Sequence, residues 1–148
     1  MNVFKALYCN QYYELKPQGK ENTAQKMGTI LSTIALVLFL LSAFFLLMTF
    51  VPDFEKELYR FFKDAFGRRT GKTIGKFAGI LCLLIGYPII KFTVGTNKSY
   101  NAIINEFNNK PTEEQKQISK KGLKFFVSSV VTIILVVIIM AIYHTVFD

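Results

Sequence analysis

The sequence predicts an all-α membrane protein with three transmembrane helices, and two charge-free runs are the main reason. Between Lys26 and Asp53 the chain passes 26 residues without a charge, and after Lys124 only His144 interrupts a second such run before Asp148. A water-soluble domain of 148 residues has no interior large enough for both, whereas a bilayer accepts them directly. Composition agrees. Hydrophobic residues make up 51%, aromatics 15%, and the mean hydropathy is +0.33, values that suit a multi-pass chain forming a single membrane unit.

The first span is expected over residues 28–51, about 36 Å of helix and enough to cross with some tilt. Pro52 then stops one helix and opens another. Over 53–66, Phe54, Leu58, Phe61, Phe62, Ala65 and Phe66 recur at helical spacing opposite Glu55, Lys56, Glu57, Arg60, Lys63 and Asp64. This segment is too short and too charged to span, so it reads as an amphipathic helix lying in the interface and ended by Gly67.

The second span has only 14 uncharged residues between Lys76 and Lys91. Both lysines can snorkel outward, which extends the usable stretch to 75–95. Pro88 leaves a re-entrant loop as the alternative, but a broken backbone at membrane depth needs surrounding protein that so short a chain hardly supplies. Residues 96–122 form a polar loop with an apolar patch at Tyr100, Ile103, Ile104 and Phe107 and a turn at 108–111. That patch reads as a short amphipathic helix before the third span, 123–147, and a capping-box pattern at 112–115 starts a helix that can run unbroken through Gly122 into that span.

Lysine and arginine counts set the expected orientation. The residues before the first span and the second loop with its flanks hold 11 of them, and the first loop holds 7. The positive-inside rule therefore puts the N-terminus in the cytoplasm and the C-terminus outside. The first apolar run is too long for a signal-peptide core and lacks a small-x-small site, so no cleaved leader is expected. The Lys-, Asn-, Ile- and Phe-rich composition is compatible with an AT-rich bacterial genome, hence an inner-membrane location.

The net charge of +8 does not imply nucleic acid, because the basic residues cluster at the ends of apolar runs where anionic lipid headgroups attract them. Lys116, Lys120 and Lys124, with Lys121 beside them, form a stripe at the start of the third span. Arg68 and Arg69 flank the second. These six are the expected headgroup contacts. Tyr8, Tyr12 and Tyr13, with Phe4 and Leu7, suggest that the first residues lie on the membrane or on a partner subunit.

Small residues mark expected packing seams. Gly71, Gly75 and Gly79 are four apart and continue through Cys82 and Gly86; Gly28, Ser32, Ala35 and Ser42 form a looser counterpart in the first span. Such stripes let helices approach closely in lipid. The expectation is that spans one and two pack seam to seam, leaving span three for lipid or a partner.

Chemical motifs are weak. Residues 67–73 resemble a P-loop but have three residues between the glycines where four are needed, and no strand precedes them. His144 has no ligand partner at its depth, so neither metal nor haem is expected. Cys82 lacks a resolving cysteine, and Cys9 and Cys82 differ too much in depth for a disulfide. The sequon at 97–99 falls on the expected cytoplasmic side. With no Asp or Glu inside a span, coupled transport is disfavoured. No cofactor is expected.

Three functions follow. The first is a non-catalytic accessory subunit of a larger membrane complex, or a homo-oligomer. The second is a homo-oligomeric pore lined by Ser32, Ser42 and Thr49 or by Ser128, Ser129 and Thr132. The third is an interfacial enzyme on lipid or quinone using Arg68, Arg69, Lys72, Asp53, Glu55, Glu57 and Asp64.

Overall fold

The computed structural model describes residues 1–66 and 70–147. Among these residues six α-helices follow in order: α1 (Val3–Leu15), α2 (Glu21–Phe50), α3 (Pro52–Phe66), α4 (Thr70–Thr93), α5 (Asn97–Asn108) and α6 (Thr112–Phe147). No strand occurs among the described residues. Helices α2, α4 and α6 are long and apolar enough to cross a membrane.

Local chemistry sets most of the boundaries. Asn2 caps α1, its side-chain oxygen accepting from the Phe4 N–H at 2.9 Å. Pro17 opens a 3₁₀ turn over Lys16–Gln18, and Gly19 reverses the chain at φ +67°, where a side chain would be strained. Pro52 begins α3, with Asp53 and Glu55 in the first turn against the positive end of the helix dipole. Helix α4 continues through Pro88 instead of breaking there. Its apolar part, Thr73–Thr93, has 21 residues, about 31 Å, which matches a ~30 Å hydrocarbon core. Thr96 caps α5 by accepting from the Ser99 N–H. At the start of α6, Gln115 does not reach back to Thr112; its amide donates to the Lys110 carbonyl at 3.0 Å and closes the turn.

Helix α2 is central. Phe39 stacks near Phe125, with ring centroids 5.6 Å apart, and Phe50 near Tyr143 at 5.7 Å, so α2 and α6 run parallel. Gly86 meets Val37 and Leu36, while Gly95 meets Thr29, so α4 runs antiparallel on a different face of α2. Helix α3 packs across α4 and α2, with the buried Phe62 ring 5.2 Å from Phe77.

Helix α1 departs most from expectation. Its Leu7, Tyr8 and Tyr12, expected against a membrane or a partner subunit, do not wait for either. The helix wedges against the first turns of α2 and α6 and against α5, with Ala6, Leu7, Tyr8 and Cys9 at most 1% exposed. The best-packed core gathers around it: Tyr8, Cys9 and Tyr12 with Ala24, Val94, Ile103, Ile104, Phe107 and Ile118. Two buried polar ties fix its register. Tyr8 Oη lies 2.8 Å from Thr29 Oγ1, and Asn10 Nδ2 donates to Ser119 Oγ at 3.0 Å. Backbone meets backbone at Gly122, where an added Cβ would press on the Ala6 carbonyl and lie 2.7 Å from Leu7 Cα.

Candidate functional site

The expected packing residues separate into two groups that do not meet seam to seam. Gly28, Ser32, Ala35 and Ser42 share one face of α2 and are all buried. Gly28 lies beneath the Tyr8 ring, where a Cβ would be 2.7 Å from Cδ1, and Phe39, between Ala35 and Ser42, meets Phe125. At 100° per residue this face points to α1 and α6, while Val37, about half a turn away, is the side chain against α4. The seam of the first span thus serves the first and last helices. The expectation that span three would be left for lipid or a partner gives way on this face. Bulky Phe125 and Tyr143 find ring partners on α2, so small residues are not required on both sides.

Among the α4 seam glycines whose surroundings are described, Gly86 is in close contact, with Val37 Cγ2 3.2 Å from its Cβ position. At Gly75 and Gly79 an added Cβ would have no heavy atom within 4 Å. They line an apolar groove of about 410 Å³ whose other wall is Ile34, Val37, Leu38 and Leu41 of α2, with Lys76 beside it. A second apolar hollow of about 370 Å³ shares Ile34 and Leu83 and continues the groove toward Ile30 and Tyr87. Cys82 is half-buried. For Gly71 the structure describes only the helix backbone.

Lys116, Lys120, Lys121 and Lys124 are all exposed along α6. Lys121 donates to the Met1 carbonyl at 3.0 Å and so helps hold the start of α1. Arg68 and Arg69 lie outside the described residues.

A second concavity has no counterpart among the sequence motifs. Where the end of α1 and the start of α2 face α5, a pocket of about 740 Å³ is lined almost wholly by polar side chains. Asn97, Asn101, Asn105 and Asn108 project from α5, with Glu21, Asn22 and Gln25 of α2 opposite. Tyr12, Tyr100 and Ile104 supply its apolar surface. Gln25 is tied at the rim, donating to the Gly95 carbonyl at 3.0 Å and to Asn97 Oδ1 at 2.8 Å. The Tyr100 hydroxyl is buried without a hydrogen-bond partner among the described residues, and burial, with Tyr12, Cys9 and Glu21 nearby, pushes its pKa up to about 12. The four-residue spacing of the asparagines is visible in the sequence, but a polar loop gives no reason to read it as a site.

Among the described residues, no three His, Cys, Asp or Glu side chains gather as a metal site would require. Comparison with protein-family models, curated proteins and solved structures found no match to this chain.

Proposed function

We propose that this chain is a non-catalytic integral membrane subunit that receives a transmembrane helix of another subunit in the groove between α2 and α4. One observation carries the reading. Gly75 and Gly79, one turn apart, have open space where side chains would be, in an apolar groove that none of the described helices fills. A glycine in a helix interior costs roughly 1 kcal/mol relative to alanine, so two unfilled ones are weakly motivated in an isolated chain. A partner backbone resting on them would gain dispersion and Cα–H contacts, which drive association where lipid removes the hydrophobic force.

The pore alternative has less support. Ser42, Thr49, Ser128, Ser129 and Thr132 each donate to a carbonyl three or four residues back in their own helix, and Ser32, whose hydroxyl has no partner among the described residues, is fully buried, so no exposed run of free hydroxyls supports a hydrated path. In the same reading, the lysine-rich end with α1 and α5 faces the cytoplasm of a bacterial inner membrane, and the exposed lysines of α6 meet anionic headgroups. Helix α3 lies in the opposite interface, with exposed Tyr59 and Phe61 turned to lipid.

The test is native mass spectrometry of the chain extracted from its own membrane, wild type against Gly79→Leu. The expected result is a complex with a second membrane protein that Gly79→Leu abolishes while the melting temperature holds. A wild-type chain carrying only lipid, or an assembly indifferent to Gly79→Leu, overturns the proposal. A complex containing only copies of this chain replaces it with the homo-oligomer.

A further inference from the structure

We propose that the asparagine face of α5 is a docking site for an extended peptide segment of another protein, held through the peptide's backbone. Asn97, Asn101, Asn105 and Asn108 stand at i, i+4, i+8 and i+11, which places them within about 80° of arc on one helix face. All four line the same 740 Å³ pocket.

Their hydrogen-bonding state points to a ligand class. Asn97 accepts from Gln25, and Asn108 reaches Tyr12 Oη only at 3.4 Å. Asn22, Asn101 and Asn105 are exposed, and none takes part in the side-chain hydrogen bonds described for this region. Each primary amide presents one acceptor oxygen and two donor hydrogens, the complement of one residue's backbone N–H and C=O. Spacing fits as well. Four residues of α-helix rise about 6.0 Å, while two residues of extended chain advance about 6.6 Å. Asn97, Asn101 and Asn105 therefore meet alternate residues of an extended strand, while Asn108, only about 4.5 Å beyond Asn105, falls out of that step; the whole stretch, about 16 Å, covers about five residues.

Charge narrows the choice. Among the described residues no lysine or arginine lines the pocket itself, and the cation against its wall is Lys16, whose ammonium stands 5.2 Å from the centroid of the Tyr12 ring. Glu21 is the one ionisable carboxylate among the described residues of the wall and favours a basic side chain at the neighbouring peptide position. Tyr12, Tyr100 and Ile104 give an apolar floor for the side chains that point inward. This site is distinct from the α2–α4 groove and does not depend on it.

A phage-displayed heptapeptide library, selected on the full chain in lipid nanodiscs, tests the proposal against the double variant Asn101→Ala/Asn105→Ala. Both asparagines are exposed, so the variant should keep its melting temperature and its shielded Cys9. Expected are peptides that bind the wild type and lose about tenfold or more in affinity to the variant. Methylating alternate backbone nitrogens of such a peptide should cause a similar loss in one register and little in the other. Glu21→Gln should weaken only peptides carrying Lys or Arg. No enrichment on the wild type, equal binding by wild type and double variant, or binding that survives N-methylation in both registers would each overturn the proposal.

Discussion

Gly122→Ala sets two known effects against each other, and the structure decides the sign. In the interior of a helix, replacing glycine by alanine normally stabilises by up to about 1 kcal/mol. At Gly122 the new methyl would meet Ala6 and Leu7, and the nearest atoms belong to the α1 backbone, so no side chain can rotate out of the way. Overpacking of this kind costs about 1–3 kcal/mol, and the immobile neighbours favour the upper part of that range. A net loss of about 1–2 kcal/mol follows, a fall in melting temperature of several degrees for a chain of this size. The strain is relieved only if α1 lifts from α6, which gives a second readout. Cys9 is fully buried and burial pushes its thiol up to about 12, so a membrane-impermeant maleimide should leave it unmodified in the parent and label it in the variant. A Cys82→Ser background keeps the signal to one thiol. Gly75→Ala is the control, since nothing lies within 4 Å of its added methyl and it should be neutral or stabilising. A Gly122→Ala chain as stable as its parent, with Cys9 still protected, would refute the placement of α1.

Two further outcomes test the same core. Asn10→Ala and Ser119→Ala each strand a buried partner of the 3.0 Å hydrogen bond between α1 and α6, and each should cost about 1–3 kcal/mol in urea or SDS unfolding. The double variant should recover part of that, and strict additivity would show that the bond does not couple the helices. Alkaline pH should also destabilise the fold. The folded chain keeps the Cys9 proton to about pH 12, whereas an unperturbed thiol releases it near 9.0, so stability is whole below pH 9 and falls as pH rises from there toward 12. Cys9→Ala should flatten the decline between pH 9 and 10; an unchanged slope over that interval, read from unfolding midpoints, would count against it.

The spans were legible because the bilayer imposes one crude requirement, length without charge, that a sequence displays openly. The turn chemistry at Pro52 was legible for a similar reason: proline acts locally. Helix α1 was not. Its tyrosines and Asn10 look solvent-compatible, and their burial depends on partners such as Ser119 that lie 109 positions away. Gly122 belongs to no stripe, so nothing marked it as a contact, whereas the regular series through Gly75 and Gly79 looked like one and is uncovered in this chain. Periodicity reports which residues share a face. It does not report which neighbour that face meets.

Docking of α1 also orders events during synthesis. Its seat includes Ser119 and Gly122 of α6, so, although Tyr8 can meet Gly28 and Thr29 of α2 early, the face of α1 that carries Phe4, Ala6 and Asn10 stays uncovered until more than a hundred further residues have been made. Closing that clasp joins α1 to α6, helices more than a hundred positions apart. A chain stalled before α6 would therefore keep the Phe4 and Asn10 face of α1 on display, available to proteases and chaperones that remove incomplete products.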